Sequence, residues 1–232
     1  MSGARRDFFV TGTDTGVGKT LVSAALLRAL RGQGLAVAGM KPVASGAART
    51  PDGLRNEDAL ALAAESSRPW PYETINPYCF EPAIAPHIAA AEAGVEIRLE
   101  PIEQAFRSLQ ADSDTVIVEG AGGFLVPLGS QLSFAELPGA LGLGVILVVG
   151  LRLGCLNHAL LTVEALVCRN LCLVGWVGNQ VDPGFDRLDA NLALLHEQLP
   201  APCLGIIPPL HPPDIGIAAA SLGEIPDPRL PA

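Results

Sequence analysis

The residues of this chain that could do chemistry begin with a glycine-rich stretch near its start, Gly12-Thr13-Asp14-Thr15-Gly16-Val17-Gly18-Lys19-Thr20. An apolar run precedes the stretch, and a helical pattern that opens with Leu21 follows it. A phosphate-binding loop requires this strand, turn and helix, because its glycines let backbone N–H groups point at an anion. In such a loop Lys19 reaches the β- and γ-phosphates, and the Thr20 hydroxyl helps to hold Mg²⁺. A turn that only caps a helix is the alternative, and the flanking elements favour the phosphate loop.

The spacing of this loop departs from the common pattern. Five residues, instead of the usual four, separate Gly12 from the Gly18-Lys19-Thr20 triplet, and Thr13 stands where the first glycine usually falls. We expect a loop of this length to surround the phosphates with a different geometry and to leave room for a second substrate. Partition-type ATPases carry an extra lysine near the start of the loop. Asp14 at the corresponding position disfavours that class.

A second candidate site residue is Glu119, which ends the apolar run Thr115-Val116-Ile117-Val118. A carboxylate at the end of such a strand supplies a second metal contact in phosphate-loop enzymes, although aspartate is more usual there. The run Gly120-Ala121-Gly122-Gly123 follows, and its small residues allow a ligand to approach closely. The alternative is a simple turn at the end of the strand.

Lys41 follows the second apolar run, in Met40-Lys41-Pro42-Val43-Ala44-Ser45-Gly46. A lysine at the carboxyl end of a strand can stabilise charge on a transferred phosphoryl group or a bound carboxylate. Ser45 and Gly46 offer donors to an anion. By itself a Lys-Pro pair is equally well read as a solvated turn, and its position after the strand favours a function.

Asp58 and Asn179 each have a structural and a functional interpretation. Asn56 is a plausible N-cap, so Asp58 lies at a helix start, where the spacing favours a helix-terminal role over a third metal contact. Asn179 follows another apolar run and either reads an adenine edge or is a turn residue. The four histidines share no local motif and are expected to be structural: His87, His158, His196 and His211. Since no Ser-His-Asp arrangement is recognisable, nucleophilic hydrolysis is not supported.

These residues need a scaffold of alternating strands and helices. The patterns predict strands near 7–12, 35–40, 114–119, 144–150, 172–178 and 203–207. They predict helices near 18–32, 56–66, 85–93, 101–110, 133–140, 155–169 and 186–198. This order indicates an α/β fold, a doubly wound and mostly parallel sheet of the P-loop NTPase type, with ligands at the carboxyl ends of the strands.

Chain length and composition are consistent with this fold. A chain of 232 residues suits one domain over 1–232, in which residues 208–232, rich in proline, are expected to be irregular and to lie over the surface. The Pro-rich connection over 68–86 is long enough to suggest that it flanks the substrate site. A net charge of −9 leaves no basic field for nucleic acid or anionic membranes.

The remaining sequence features predict a cytoplasmic protein. The five cysteines are scattered without zinc spacing and are expected to be reduced thiols. The first residues lack the apolar segment of a signal peptide. The longest apolar stretch, residues 140–151, is too short to span a bilayer.

Taken together and in order, several segments resemble the dethiobiotin synthetase family, the ATP-dependent cyclo-ligases of biotin biosynthesis. The phosphate loop alone is moderately specific, whereas the ordered set is highly specific. The matching blocks are residues 9–20, 41–46, Asn76-Pro77-Tyr78, Pro86-His87-Ile88, 118–123, 153–158 and 175–179. The part after about residue 208 matches only loosely.

The resemblance implies a homodimer that converts 7,8-diaminopelargonic acid, CO₂ and MgATP to dethiobiotin, ADP and phosphate. In the family one amine of the substrate forms a carbamate, which ATP converts to a carbamic-phosphoric anhydride. The second amine then closes the ureido ring. Such chemistry brings an anionic acceptor oxygen to the γ-phosphate among lysines and Mg²⁺.

The resemblance also assigns roles by matching position. Lys41 resembles the catalytic lysine and acts with Lys19, and Thr20, Asp58 and Glu119 resemble the Mg²⁺ ligands. The nucleotide contacts are Gly16, Val17, Gly18, Lys19, Thr20, Leu21, Gly120, Ala121, Gly122, Asn179, Gln180, Ile207, Pro208 and Pro209. The substrate contacts are Thr15, Ser45, Leu153, Gly154, Cys155 and Asn157, the last four from a helix start that binds the distal carboxylate across the dimer interface. Gln180 stands where some members have an acid, which leaves the base selectivity open.

Two other classes fit parts of the pattern. A cobyrinic acid amide ligase shares the fold, but those proteins add a glutaminase domain for which this chain has no room. A switch ATPase that positions partners on DNA or membranes would have the extra loop lysine and a basic or amphipathic surface helix. The sequence shows neither feature.

Overall fold

The computed structural model describes residues 6–226. The strands are β1 (Phe8–Gly12), β2 (Val37–Met40), β3 (Val43–Ala44), β4 (Ala48–Thr50), β5 (Gly53–Arg55), β6 (Tyr78–Cys79), β7 (Thr115–Gly123), β8 (Gly144–Gly150), β9 (Leu173–Asn179) and β10 (Cys203–Ile207). The helices are α1 (Lys19–Gly32), α2 (Glu57–Glu65), α3 (Tyr72–Ile75), α4 (Pro86–Glu92), α5 (Leu99–Ala111), α6 (Glu136–Leu141), α7 (Cys155–Val167), α8 (Leu188–Gln198) and α9 (Ile215–Ala220).

The main sheet has six strands in the order β10-β9-β8-β1-β7-β2. Every neighbouring pair in it is parallel. The chain first builds one side of β1, with β2 and β7, and then crosses to build the other side from β8 onward. The crevice at the carboxyl end of β1 lies at this reversal, which is where doubly wound sheets bind ligands. The predicted doubly wound, mostly parallel sheet is confirmed.

Both faces of the sheet are covered, as its apolar strands predict. Phe8 and Phe9 are successive residues of β1, point to opposite faces, and are each fully buried in a different core cluster. Every residue of β8 is also buried. A strand buried on both faces needs a near-continuous apolar run, because alternating polar residues would lie against covering helices.

Two sequence predictions about the elements need correction. The strand that was expected to end at Glu119 continues to Gly123, because Gly12 of β1 pairs with Gly123 across a register shift. The tail after residue 208 is not entirely irregular, since it forms α9 with the Asp214 side chain as N-cap, 2.9 Å from the Ile217 nitrogen. Ala218 and Ile225 are buried in the core cluster that contains β1 and α1 residues. Residues 227–232 of that predicted tail, and residues 1–5, lie outside the described range.

Four short strands and a helical turn also escaped prediction, because they are too brief to show a period. β3 pairs with β6, and β4 forms a hairpin with β5. β3, β4 and β5 follow the end of β2, whereas α3 and β6 lie within the long segment over 68–86. Between residues 6 and 226, no helix is both long and apolar enough to cross a membrane.

Candidate active site

The predicted phosphate loop joins β1 to α1 at the carboxyl edge of the sheet. Gly16 and Gly18 adopt φ values of 73° and 90°, which residues with a Cβ rarely reach. α1 begins at Lys19, and its N-cap residue, Gly18, offers no side-chain hydrogen bond to the first turn. The N–H groups of that turn are therefore available to an anion.

The loop is held from behind by the end of β9. Asn179 is buried, and its side-chain Nδ2 donates to the Val17 carbonyl oxygen at 2.9 Å. A Cβ at residue 18 would lie 2.2 Å from that same nitrogen, so only glycine fits there. Val17 fills the space next to Gly12 and Gly150, where an added Cβ would lie 2.7 Å from it in each case. Contacts within the protein thus support the loop conformation.

Inside the loop, Lys19 is buried and its ammonium donates to the Asp14 carbonyl oxygen at 2.9 Å. The Asp14 carboxylate accepts from the Thr15 nitrogen at 2.7 Å and pairs with Arg152 at 2.6 Å. Asp14, where partition-type ATPases have a lysine, thus links the loop to the segment before α7. Sequence reasoning did not find the Arg152 contact, which joins residues far apart in the chain.

A buried charge cluster lies beside the loop. The Lys41 ammonium is 2.6 Å from Glu119 Oε1 and 2.8 Å from Asp58 Oδ2, and it also donates to the Gly120 carbonyl oxygen at 3.1 Å. The Thr20 hydroxyl donates to Glu119 Oε1 at 2.8 Å. Lys41 and Glu119 are both buried. The structure therefore excludes the solvated-turn interpretation of Lys41.

Asp58 reaches this cluster because another residue caps its helix. The Asn56 Oδ1 accepts from the Ala59 nitrogen at 3.3 Å, as predicted for an N-cap. The Asp58 side chain is then free to extend to Lys41. Asp58 does lie in the first turn of α2, as the spacing predicted, but its carboxylate reaches Lys41 beside the other proposed metal ligands.

The charges of the cluster shift the pKa values of its members. Burial lowers the pKa of Lys19 to about 8, and the neighbouring positive charge of Lys41 acts in the same direction. Burial also favours a neutral Lys41, but Glu119 and Asp58 outweigh it and raise the Lys41 pKa above its usual value. Burial acts to raise the pKa of Asp58, yet the Lys41 ammonium holds it below its usual range. Lys41 is therefore a permanent cation, and Lys19 titrates.

These groups line a cavity of about 760 Å³. Its walls include Thr15, Gly16, Gly18, Lys19, Thr20, Lys41, Ser45, Asp58, Glu119, Ala121 and Gly122, all of which the sequence placed in the site. The sequence did not predict the apolar wall formed by Ala83, Ile84, Ala85, Pro86 and Val126. Four of these five residues belong to the long segment over 68–86, which the sequence did place beside the substrate.

The apolar wall is positioned by backbone bonds to the segment after Lys41. The nitrogens of Gly46 and Ala47 donate to the carbonyl oxygens of Pro82 and Phe80, each at 3.0 Å.

One signal in the sequence could have strengthened the site prediction. The chain has two lysines and thirteen arginines, and both lysines are buried in this cavity.

Val17, Leu21 and Gly120 adjoin lining residues in the chain but do not line this cavity themselves. Two other groups of predicted residues also lie outside its lining. Leu153, Gly154, Cys155 and Asn157 are at the start of α7. Asn179, Gln180, Ile207, Pro208 and Pro209 are at the ends of β9 and β10, where the Gln180 nitrogen donates to the Ile207 carbonyl oxygen at 3.0 Å. The second group still adjoins the phosphate loop, through the bond between Asn179 and Val17.

Comparisons with known proteins agree with this arrangement. A family model described as an AAA domain matches residues 6–214. The ATP-dependent dethiobiotin synthetase of Xanthomonas oryzae pv. oryzae (strain PXO99A) is 52% identical over 216 residues, which are 93% of this chain and 96% of that protein. The chain belongs to the dethiobiotin synthetase family. A second dethiobiotin synthetase, from Pseudomonas paraeruginosa (strain DSM 24068 / PA7), is 55% identical over 92% of this chain and 93% of its own.

Membership of the dethiobiotin synthetase family confirms the resemblance seen in the sequence. It makes the chain an ATP-using ligase of biotin biosynthesis that forms C–N bonds. It also disfavours both the switch ATPase and the cobyrinic acid amide ligase. Among solved structures, the MinC:MinD cell division protein complex of Aquifex aeolicus aligns with a TM-score of 0.57 at 16% identity, over 94% of this chain and 86% of that one. At that identity the likeness shows the P-loop NTPase fold alone.

Proposed function

We propose that this chain converts 7,8-diaminopelargonic acid, CO₂ and MgATP to dethiobiotin, ADP and phosphate at the cavity beside the phosphate loop. The observation that carries the proposal is the meeting of Lys19, Lys41, Asp58 and Glu119 in one cavity of about 760 Å³. A cavity of that size has room for nucleotide phosphates together with a small second substrate. The apolar wall suits the aliphatic chain of the diamine.

Each polar group then has a task in phosphoryl transfer to a carbamate. The N–H groups of residues 16–21 and the Lys19 ammonium bind the phosphates. Lys41 stabilises the negative charge that grows as the carbamate oxygen meets the γ-phosphorus. Ser45 and Thr15 contact the diamine, and Lys41 and Glu119 lie in the buried part of the cluster.

The residues present fit a magnesium ion. Glu119 is fully buried, and its Oε2 has no hydrogen-bond partner within the described residues, so a carboxylate oxygen is left over for a cation. Glu119, Asp58 and the Thr20 hydroxyl supply the oxygen ligands that Mg²⁺ prefers. These three residues would hold the ion, which would neutralise charge on the β- and γ-phosphates.

Glu119→Gln should preserve the fold but weaken Mg²⁺ binding, because the amide has the same shape without the charge. We expect the Mg²⁺ concentration that gives half-maximal activity to rise by about tenfold or more, as for the loss of one charged contact. A magnesium titration at saturating ATP measures it, with Glu81→Gln at the exposed Arg49 pair as the matched control. An unshifted midpoint would show that the carboxylate is not a ligand.

The affinity for MgATP should fall as pH rises above about 8, because Lys19 loses its proton there in the free enzyme. Bound phosphates favour the ammonium and raise its pKa, so binding above pH 8 takes up a proton. We expect the Kd to rise by up to about tenfold per pH unit in that range, whereas below about pH 8 the protonation of Lys19 should add no pH dependence. Calorimetry in buffers of different ionisation enthalpy measures the proton uptake. Lys19→Arg, which stays charged, should remove this dependence.

We also propose a homodimer in which the start of α7 binds the substrate's distal carboxylate from the partner. The Leu153 side chain is 92% exposed, and Leu125 and Leu161 are exposed by 53% and 55%. Leu125 and Leu161 line an apolar groove of about 220 Å³. α7 starts after Gly154 without a side-chain cap. The Cys155 nitrogen donates to the Arg152 carbonyl oxygen at 3.0 Å, so the N–H groups of Leu156 and Asn157 are the ones offered to a carboxylate.

Leu153→Glu should convert the dimer to monomer and lower the rate at subsaturating diamine by at least about tenfold, because it places a charge in an apolar contact. Sedimentation equilibrium and the KM for the diamine measure the two effects. Ile217→Glu changes an exposed apolar side chain on α9 and serves as the control. If the Leu153→Glu variant remains a dimer and has a normal KM for the diamine, the start of α7 does not lie in the interface.

The adenine site is proposed at Asn179, Gln180 and residues 207–209, which the contact between β9 and β10 brings together next to the loop.

A cytoplasmic location and a single domain over 1–232 are part of the same proposal. All five cysteines are free, which suits a reducing compartment.

Mass spectrometry of a reaction with diamine, isotopically labelled bicarbonate and MgATP tests the function as a whole. The label should appear in dethiobiotin, and phosphate should be released only when diamine and bicarbonate are both present. A switch ATPase would release phosphate without either of them. Phosphate release that ignores the diamine would overturn the proposal.

A further inference from the structure

The Tyr72 hydroxyl, in α3, lies at the centre of a hydrogen-bond network behind the active site. It accepts from the Asn56 nitrogen at 2.7 Å and donates to the Asn76 Oδ1 at 3.0 Å. It also lies 3.6 Å from the Cys79 sulfur. Burial raises the pKa of Tyr72 above its usual value, so the hydroxyl keeps its proton at any working pH. The Arg55 guanidinium covers the ring at 4.2 Å.

One arm of this network ends on the backbone of Lys41. The Asn76 Nδ2 donates to the Lys41 carbonyl oxygen at 2.7 Å and to the Tyr78 carbonyl oxygen at 2.9 Å. The Lys41 nitrogen donates to the Ile75 carbonyl oxygen at 2.8 Å. Both polar backbone groups of Lys41 are therefore bound to the end of α3. This fixes the point from which the lysine side chain enters the cavity.

The other arm ends on the helix that carries Asp58. Asn56, whose nitrogen is bound by Tyr72, caps α2 through its Oδ1. Its Nδ2 donates to the Ser45 carbonyl oxygen at 3.3 Å. Asp58 follows two residues later and meets the Lys41 ammonium at 2.8 Å. The contacts form a closed ring that holds Lys41 at its backbone and at its ammonium.

We propose that the Tyr72 hydroxyl is a positioning group, which couples the backbone of Lys41 to the start of α2 and so fixes the Lys41–Asp58 contact. The hydroxyl is the group that joins the two arms, because Asn76 and Asn56 both bond to it. Tyr72 is not among the residues that line the cavity. Its effect on the reaction therefore passes through Lys41 and Asp58, and the inference rests on the function proposed for that site.

Tyr72→Phe tests the proposal, because it keeps the ring and its stacking with Arg55 and deletes only the hydroxyl. We expect kcat to fall by about tenfold, as for one buried hydrogen bond, with the KM for MgATP changed by less than about twofold. In an Asp58→Asn background, Tyr72→Phe should lower kcat by less than about twofold, because the Lys41–Asp58 contact that the Tyr72 hydroxyl positions is already lost. If Tyr72 only stabilised the fold, the effect of Tyr72→Phe would be the same with and without the Asp58 carboxylate.

Tyr78→Phe is the matched control, since the Tyr78 hydroxyl binds the Arg98 nitrogen at 3.1 Å, at the surface, and should leave kcat within about twofold. Asn76→Asp breaks the same ring at its Lys41 arm and should show the same dependence on Asp58. It replaces Tyr72→Phe if that variant does not fold.

A Tyr72→Phe rate within twofold of the parent, or losses that multiply in the double variant, would overturn the inference. The proposed function fails by a different result, the release of phosphate from MgATP by the parent enzyme without the diamine.

Discussion

Lys19→Ala should abolish most of the turnover and weaken MgATP binding. The Lys19 ammonium is buried inside the phosphate loop, and its protein contact is one backbone carbonyl of Asp14 at 2.9 Å. An ammonium held this way points toward the β- and γ-phosphates. Little free energy is lost when a phosphate oxygen replaces that carbonyl oxygen as its hydrogen-bond acceptor. We expect kcat/KM for MgATP to fall by roughly a thousandfold, about 4 kcal/mol.

Steady-state kinetics and calorimetric titration with MgATP measure this prediction. Arg187→Ala is the control for the loss of one positive charge, because its side chain is 83% exposed. Its kinetics should stay within about twofold of the parent. A Lys19→Ala enzyme with normal ATP affinity and rate would contradict the phosphate-loop assignment.

Lys41→Ala should lower kcat while leaving the ground-state binding of ATP nearly intact. Lys41 lies between Glu119 and Asp58 and faces the same cavity as Lys19. If it stabilises charge that grows as the carbamate attacks phosphorus, its loss acts on the transition state. The expected penalty is roughly 2–4 kcal/mol, by comparison with the removal of one oxyanion donor.

Because Lys41 also balances a buried carboxylate, its loss carries a stability cost that must be separated from the catalytic one. Lys41→Met combined with Glu119→Gln replaces the buried pair by uncharged side chains of similar size. This double variant should recover the free energy of unfolding but not the rate. A normal kcat for Lys41→Ala at saturating diamine, bicarbonate and MgATP would remove Lys41 from the catalytic residues.

The parts of the site that the sequence predicted are those with local signals. The phosphate loop is signalled by glycines whose positive φ values belong to the loop itself, although the close contact at Gly18 comes from the distant Asn179. The N-cap Asn56 is likewise encoded within its own helix. Glu119 and Lys41 were found because each follows an apolar run, and parallel strands place their carboxyl ends at one edge.

What the sequence did not predict depends on contacts between distant residues. The end of β7 was misplaced because Gly123 pairs with Gly12, and no local pattern reports that pairing. The direction of the Asp58 side chain is set by Lys41, not by its own helix. The apolar wall of Ala83 and Ile84 is placed by backbone bonds to the segment after Lys41. α9 was missed because six residues of Ile, Gly and Ala carry too little periodicity.

The distribution of lysine should confine the amine-directed labelling of side chains to the proposed active cavity. Among residues 6–226 the lysine and arginine side chains at the surface are all arginines, and both lysines lie in the proposed active cavity. Amine-directed acylating reagents react with the neutral amine, which Lys19 supplies near pH 8 and Lys41 withholds. Apart from the α-amine of the chain, Lys19 is then the expected first target, and MgATP should shield it. Any acylation of a side-chain amine, whether chemical or enzymatic, would thus report directly on occupancy of the catalytic cavity.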